Sequence, residues 1–177
     1  MSNNPNERHF KPLNIAVMTV SDTRTEANDT SGDTLVELLT GAGHTLTEKR
    51  IVPDDIYRIR ATVSQWIADD SINAVITTGG TGITGRDSTP EAVRVLLDKE
   101  IEGFGEVFRA VSYEEIGTST IASRALSGVA NATYIFCLPG STGACRTGWG
   151  KLISHQLDYR TRPCNLVELM PRVLEKG

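Results

Sequence analysis

The stretch A-V-I-T-T-G-G-T-G-I-T-G-R-D-S-T-P, residues 74–90, decides the predicted fold. Positions 74–78 are apolar or β-branched, which predicts a buried strand, and glycines follow at 79, 80, 82 and 85. In open α/β sheets, ligands bind beyond the carboxyl ends of strands, and glycines there let backbone N–H groups approach an anion. A helix is expected to begin at Ser88 or Thr89, because Ser88 and Glu91 have the spacing of a capping box and Pro90 follows Thr89.

Predicted strands and helices alternate through the rest of the chain. Further strands are expected at 15–20, 45–52 and 133–138, with 45–52 at the edge of the sheet. Apolar residues recur at helical spacing in the segments 35–42, 56–67, 92–97, 104–111 and 149–157. We also expect Gly103 and Gly105 to break or bend the chain, and a short helix within 113–127.

This alternation predicts the fold class. Strands that alternate with helices form a mostly parallel sheet with helices on both faces and right-handed crossovers. The connections after the predicted strands then lie at one rim of the sheet, and they are the loops 21–23, 53–55, 79–87 and 139–142.

The composition is that of an ordinary globular domain. With 177 residues, of which 39% are hydrophobic and 23% charged, the chain suits a single domain, expected at 13–177 after a flexible arm at 1–12. We expect a cytoplasmic protein without a membrane span, because the sequence has neither a signal peptide nor a long apolar stretch. A net charge of -4 without a basic run argues against nucleic acid as the main partner.

The cysteines and histidines predict neither a disulfide framework nor a metal site. Cys137, Cys145 and Cys164 are odd in number and lack C-x-x-C spacing, so reduced thiols are expected, with Cys137 in the core. The histidines are scattered along the chain and form no ligand pair.

The glycine segment matches two nucleotide-binding patterns incompletely. Residues 80–85 match G-x-G-x-x-G, but that fingerprint follows the first strand of a βαβ unit, whereas these residues follow a middle strand. In a P-loop the next two positions would be Lys and Ser or Thr, and here they are Arg86 and Asp87, which disfavours Walker-type chemistry. A nicotinamide-dependent enzyme and a plain turn stay open as alternatives at this point.

Two aspartates are candidates for catalysis and metal binding. Asp54 and Asp87 each follow a predicted strand end, where paired carboxylates can hold a Mg²⁺ that bridges phosphate oxygens. The alternative for Asp54 is a helix N-cap, and for Asp87 a salt bridge to Arg86 or a cap of the next helix. Asp22 and Asp29, in a polar loop, are further candidates of the same kind.

A second candidate loop lies at Pro139, Gly140 and Ser141, directly after the predicted strand 133–138. Backbone N–H groups there, followed by the N-terminus of a helix, could bind an anion. A plain strand-to-helix turn is the alternative that the residues leave open.

A set of motifs covers nearly the whole chain beyond its first dozen residues. They are V-S-D-T-R at 20–24, D-T-S-G at 29–32, V-P-D at 52–54, T-T-G-G-T-G-I-T-G-R-D-S-T-P-E-A at 77–92, E-G-F-G-E at 102–106, G-T-S-T-I-A-S-R at 117–124, L-P-G-S at 138–141 and R-T-R-P-C-N at 160–165. T-T-G-G-T-G followed by R-D is highly specific, whereas P-G-S is generic. Together they resemble the MoaB/MogA family of molybdenum cofactor biosynthesis.

The resemblance implies a three-layer α/β/α sandwich with a mostly parallel sheet, assembled as a homotrimer or homohexamer. It also implies an adenylyltransferase that binds molybdopterin and joins its phosphate to AMP from ATP, with Mg²⁺, releasing pyrophosphate. The alternative is a non-catalytic molybdopterin-binding or carrier member, because the chain ends soon after R-P-C-N, whereas the adenylyltransferase branch continues.

The resemblance also assigns roles to residues. Asp54 and Asp87 match the aspartates that active members need, as catalytic residues and Mg²⁺ ligands. The positions expected to bind substrate are Ser21, Asp22, Gly79, Gly80, Thr81, Gly82, Ser123, Arg124, Pro139, Gly140 and Ser141.

Overall fold

Six strands form one sheet in the computed structural model, which describes residues 8–175. In chain order the strands are β1 (Asn14–Val20), β2 (Thr45–Val52), β3 (Ala74–Thr78), β4 (Lys99–Glu100), β5 (Leu126–Ala130) and β6 (Thr133–Leu138). Their spatial order is β2-β1-β3-β6-β5-β4. Neighbouring strands from β2 to β6 in this order are parallel, whereas β5 is antiparallel to both of its neighbours, β6 and β4. The mostly parallel sheet and the edge position of β2 are confirmed.

Helices cover both faces of the sheet. The α-helices are α1 (Thr30–Gly41), α2 (Ile56–Ile67), α3 (Thr89–Arg94), α4 (Glu102–Ile116), α5 (Thr142–Gly148), α6 (Ser154–Gln156) and α7 (Leu166–Leu169). A π-helical turn, Trp149–Ile153, joins α5 to α6, and 3₁₀ turns at Gly117–Ala122 and Met170–Arg172 follow α4 and α7. One hydrophobic cluster joins a face of the sheet to α1, α4 and the chain from α5 to α7, and another joins the opposite face to α2 and α3. The three-layer α/β/α sandwich is therefore confirmed.

The side chains of β1 supply both cores. Ile15 and Val17 belong to the first cluster, whereas Ala16, Met18 and Val20 belong to the second. Successive side chains of a strand point to opposite faces, so a central strand covered on both sides is apolar at nearly every position. This is why β1 is apolar from Ile15 to Met18 and again at Val20, while the buried hydroxyl of Thr19 is satisfied by a hydrogen bond to Asp29.

The parallel strands end level with one another. In register, Val20 pairs with Val52, Thr19 with Thr78, and Thr78 with Leu138. The loops that follow these strands therefore leave the sheet along one rim, as predicted.

The helix boundaries differ from the prediction in three segments. The helix expected at 149–157 already begins at Thr142, with α5, and continues through the π-helical turn into α6. The short helix expected within 113–127 is wrong in part, because α4 continues to Ile116 and Leu126 already belongs to β5. Every residue of β5 is buried, and a fully buried strand lacks the alternation that would distinguish it from a helix. The helix α3 ends at Arg94, before the expected end at 97.

Gly103 and Gly105 lie inside α4 instead of breaking the chain, so that expectation is wrong. A Cβ on Gly105 would come 2.6 Å from the carbonyl oxygen of Ala125, so glycine there lets α4 approach the start of β5 closely. Phe104 and Phe108 on the same helix are buried in the core. Their packing outweighs the cost of a glycine in a helix, which is about 1 kcal/mol.

A buried ion pair fixes the start of α1 to the sheet. Asp29, one residue before the helix, is its N-cap and accepts the Gly32 N–H at 3.0 Å. The fully buried carboxylate also accepts the Thr19 hydroxyl at 2.8 Å, and its Oδ2 lies 3.0 Å from Lys49 Nζ. Burial alone would lower the pKa of Lys49, but the carboxylates around it outweigh burial and raise that pKa. The contacts of Asp29 with Thr19 and Lys49 therefore join β1, α1 and β2.

Replacing Lys49 with Met is expected to lower the free energy of unfolding by about 2 kcal/mol, because the buried Asp29 carboxylate loses its counter-charge. Urea denaturation at neutral pH measures this change. Lys151 is exposed, and Lys151→Met should change the stability by less than about 0.5 kcal/mol. Equal unfolding midpoints for the two variants would contradict the structural role of the pair.

The described part of the predicted arm, residues 8–12, contacts the C-terminal segment. Arg8 Nη2 lies 2.7 Å from Glu168 Oε1, and Lys11 Nζ lies 3.9 Å from the centre of the Tyr159 ring. Residues 1–7 of the arm lie outside the described residues. Within residues 8–175, no helix combines the length and the apolar character needed to cross a membrane.

The cysteines are free thiols, as predicted. Cys137 and Cys145 are buried, whereas Cys164 is exposed. Burial raises the pKa of Cys137 to about 12 and that of Cys145 to about 11, so both thiols are protonated at neutral pH.

Candidate functional site

A cavity of about 670 Å³, called here the rim cavity, opens where the parallel strands end. All of the predicted rim loops contribute to its wall, and the rest comes from α4, the 3₁₀ turn after it and α5. The predicted site residues that line it are Ser21, Asp22, Asp54, Gly79, Gly80, Thr81, Gly82, Asp87, Ser123, Pro139, Gly140 and Ser141. The structure therefore brings together all of the predicted site residues except Arg124 and the further candidate Asp29.

The glycine loop has a backbone that requires glycine at two positions. Gly79 and Gly80 have φ angles of +104° and +65°. A Cβ on Gly79 would lie 2.2 Å from the carbonyl oxygen of Val20, and one on Gly140 would lie 3.1 Å from the Cα of Gly79. The two candidate anion loops therefore meet backbone to backbone, and bare main chain forms this part of the cavity wall.

Arg124 holds the glycine loop in shape and is not part of the cavity wall. Its backbone N–H donates to Thr81 O at 3.0 Å, its Nε to Gly82 O at 2.6 Å and its Nη2 to Asp87 O at 2.9 Å. Its Nη1 donates to the carboxylate of Glu91. The planar guanidinium can satisfy these separate acceptors at once, so one side chain fixes the carbonyl groups of the loop.

Asp54 follows β2, and its carboxylate reaches the residue that precedes α3. Its Oδ1 accepts the backbone N–H of Ser88 at 3.2 Å and the Ser88 hydroxyl at 2.9 Å. The N-cap of α2 is Asp55, so the alternative role of Asp54 as a cap does not hold. Burial raises the pKa of Asp54, the Ser88 hydrogen bonds oppose that shift, and repulsion from Asp87 and Asp22 adds to it.

The pKa of Asp87 is shifted in the opposite direction, below its usual value. Its Oδ2 accepts the N–H of Thr84 at 2.8 Å and the Thr84 hydroxyl at 2.6 Å. Burial tends to raise its pKa, but these hydrogen bonds and one from the Gly82 backbone lower it. A Cβ on Gly82 would lie 2.7 Å from Asp87 Oδ2, so the glycine makes room for the carboxylate. The guanidinium of Arg86 pairs with Asp22 instead, with Nη2 and Oδ2 2.5 Å apart.

The other two aspartates separate into different roles. Asp22 lines the rim cavity, and its Oδ1 accepts the backbone N–H of Asp54 at 3.1 Å. Asp29 is fully buried beside Lys49 and is not part of the cavity wall. Its role is to hold α1 against the sheet.

The second candidate loop leads into α5, as predicted. Ser141 is the N-cap of that helix and accepts the Ala144 N–H at 3.1 Å. The carbonyl oxygen of Pro139 accepts the Thr78 hydroxyl at 3.0 Å, which ties this loop to the end of β3. The two strand ends therefore hold their loops against each other.

The acidic pair suits a cation that arrives with phosphates. Within residues 8–175, no group of three or more His, Cys, Asp or Glu side chains lies close enough together to hold a metal ion unaided. Mg²⁺ is commonly bound by one or two carboxylates together with substrate phosphate oxygens and water. Asp54 and Asp87 fit that ligand set, because both line the rim cavity and the charge of Asp87 is near enough to raise the pKa of Asp54.

One wall of the rim cavity was not predicted from the sequence. It is formed by one face of α4 and the 3₁₀ turn, with Phe108, Ser112, Glu115, Ile116, Ser119 and Thr120. Spacings of three and four residues place Phe108, Ser112 and Glu115 on the same helix face. The polar side chains that follow Phe104 and Phe108 along this face are the signal that could have identified the wall.

Known proteins share both the sequence and the fold of this chain. Residues 16–159 match the family model described as "Probable molybdopterin binding domain". A molybdenum cofactor biosynthesis protein B from Escherichia coli (strain K12) is 57% identical over 156 residues, which are 88% of this chain and 92% of that protein. A crystal structure of a molybdenum cofactor biosynthesis protein B has a TM-score of 0.82 at 48% identity, over 85% of this chain and 94% of that one.

A further crystal structure is that of the tungsten cofactor synthesizing protein MoaB from Pyrococcus furiosus. It has a TM-score of 0.74 at 39% identity, over 82% of this chain and 92% of that one. The chain therefore belongs to the family of molybdopterin-binding domains that includes the MoaB and MogA proteins of molybdenum cofactor biosynthesis.

Proposed function

We propose that this protein binds molybdopterin in the rim cavity and joins its phosphate to AMP from Mg-ATP, releasing pyrophosphate. Membership of the family gives the chain a role in molybdenum cofactor biosynthesis. The observation that supports the proposal most strongly is that Asp54, Asp87 and both candidate anion loops line a single cavity. Bare backbone suits phosphate oxygens, and paired carboxylates suit the Mg²⁺ that accompanies a nucleotide.

The reaction would be a displacement at phosphorus. A phosphate oxygen of molybdopterin attacks the α-phosphorus of ATP and forms a new P–O bond. The bond from the α-phosphorus to the oxygen that bridges to the β-phosphate breaks, and its electron pair leaves with pyrophosphate. Because the nucleophile is already anionic, no strong general base is needed, and the rate depends on alignment and on charge stabilisation.

The residues of the chain would supply that alignment. The loops Gly79–Gly82 and Pro139–Ser141 would bind the phosphates, and Arg124 would keep the first loop in shape. Asp54 and Asp87 would hold Mg²⁺, which neutralises phosphate charge during the transfer. Both carboxylates are already oriented by hydrogen bonds, so little reorganisation is needed when the ligands bind.

Anaerobic incubation of the purified protein with molybdopterin, ATP and Mg²⁺ tests the proposal. The expected result is pyrophosphate in equal amount to adenylylated molybdopterin. Tight binding of molybdopterin without pyrophosphate would show the carrier function that is the alternative. Failure to bind molybdopterin at all would contradict both functions.

The assembly is proposed to be a homotrimer or homohexamer, in line with the family resemblance. Light scattering coupled to size-exclusion chromatography should give three or six times the chain mass of 19.2 kDa. A monomeric mass would contradict the proposal.

As the pH is lowered, turnover is expected to fall at a higher pH than it would if Asp54 had the usual pKa of an aspartate. Asp54 must be ionised to hold Mg²⁺, and burial, together with repulsion from Asp87 and Asp22, raises its pKa. Ser88→Ala removes the hydroxyl that opposes this shift, so the acid limb of kcat/KM should move to still higher pH. Ser64→Ala, at an exposed position of α2, is the control. An acid limb at the same pH in both variants would contradict the role of Asp54.

A further inference from the structure

We infer that Glu115 determines the specificity for the pterin ring, because its carboxylate can accept hydrogen bonds from the N3–H and 2-amino groups of the pterin. The inference rests on the proposed binding of molybdopterin in the rim cavity. Glu115 lies on α4, in the wall that faces the cavity together with Phe108 and Ser112.

The carboxylate of Glu115 is held in place by one hydrogen bond. Its Oε2 accepts the Thr147 hydroxyl at 2.7 Å, which links α4 to α5 within the cavity wall. Among the residues that the structure describes, the side chain of Glu115 forms no other hydrogen bond or ion pair. An ionised carboxylate has about four acceptor positions, so most of its capacity is available to a ligand.

The surroundings of Glu115 suit a flat ring with a polar edge. Phe108 and Ile116 on the same helix, and Ala144 on α5, also line the cavity. Ile116 is 56% exposed, so a ring placed against it would cover apolar surface. In ligand cavities that combine such surfaces with a few fixed polar groups, those groups determine the orientation of the ligand and the specificity.

The charged groups of the cavity wall indicate where each end of the ligand lies. The glycine loop, the second anion loop and the Asp54–Asp87 pair suit phosphates and their metal. A further carboxylate without a cation beside it would repel a phosphate, so Glu115 suits the uncharged end of the molecule. The pterin ring is that end of molybdopterin.

The pattern of donors favours a pterin over adenine. A carboxylate offers two acceptors side by side, and the N3–H and 2-amino groups of a pterin are two adjacent donors. The corresponding edge of adenine presents one donor, the 6-amino group, and one acceptor, N1. Glu115 can therefore pair fully with the pterin and only partly with the adenine of ATP.

The substitution Glu115→Gln tests the inference with free pterin and lumazine as probes. Lumazine carries an oxygen in place of the 2-amino group, so its edge has one donor and one acceptor, which match the amide of Gln. Wild-type protein should bind pterin at least about tenfold more tightly than lumazine, and Glu115→Gln should abolish or reverse this preference. Glu114→Gln, at the exposed neighbouring position outside the cavity wall, should retain the wild-type preference.

Anaerobic titration with molybdopterin separates this inference from the proposed function. Glu115→Gln should bind molybdopterin at least about tenfold more weakly than wild type, with an unchanged unfolding midpoint, because the replaced side chain is exposed. If Glu115→Gln binds molybdopterin and discriminates pterin from lumazine as Glu114→Gln does, the inference is overturned and the proposed function stands. If wild-type protein binds no molybdopterin, both are overturned.

Discussion

Replacing Asp87 with Asn is expected to lower kcat for pyrophosphate release by at least about 100-fold while the fold stays intact. The substitution removes a negative charge from the proposed Mg²⁺ site and keeps the shape of the side chain. The remaining amide oxygen can still accept the hydrogen bonds from Thr84, which hold this side chain at 2.8 and 2.6 Å. The loss should therefore fall on catalysis and not on stability.

The rate of pyrophosphate release at saturating molybdopterin and Mg-ATP measures the effect of Asp87→Asn. The control is Asp70→Asn, which makes the same change at an exposed position before β3, at the opposite end of that strand. We expect wild-type rates from the control. Similar rates in Asp87→Asn and wild type would show that the Asp87 carboxylate has no part in the chemistry.

Replacing Gly79 with Ala is expected to lower the free energy of unfolding by at least about 3 kcal/mol. A φ angle of +104° strains any residue with a Cβ, at a cost of about 1–3 kcal/mol. In addition, the Cβ would lie 2.2 Å from the carbonyl oxygen of Val20, and neither backbone can move without disturbing the sheet. For a domain of this size, the midpoint of thermal unfolding should fall by about 6–12 °C.

A second glycine in the same loop provides the control for Gly79→Ala. At Gly85 nothing lies within 4 Å of an added Cβ, and its φ angle is not positive. Gly85→Ala should leave the midpoint unchanged or raise it slightly, because alanine restricts the unfolded chain. If calorimetry gave the same midpoint for both variants, the turn after β3 would not require glycine.

The rim of the sheet could be predicted from the sequence because burial and strand polarity determine it. The apolar residues of β3 and β6 end abruptly at glycine or proline, which identified both strand ends and both loops. Parallel strands release their loops at the same edge, so Asp54 and Asp87 were expected to share one site without any knowledge of distances. Both residues indeed line the rim cavity.

The parts that were not predicted depend on contacts between distant segments. Gly105 lies in a helix because α4 packs against Ala125, and the residues next to Gly105 in the sequence do not indicate that contact. Arg124 was expected to bind substrate, whereas its Nε and Nη2 donate to carbonyl groups of the glycine loop and its Nη1 to Glu91. The residues of α4 that line the cavity, such as Glu115, could not be placed there before the position of the helix was known.

A crystal structure of the protein with bound molybdopterin tests most directly whether the rim cavity is the pterin site. We predict that the phosphate lies against Gly79–Gly82 and Pro139–Ser141, on the side of Asp54 and Asp87, with the ring towards α4. Molybdopterin bound outside the rim cavity, with these loops free of its phosphate, would contradict the proposed site.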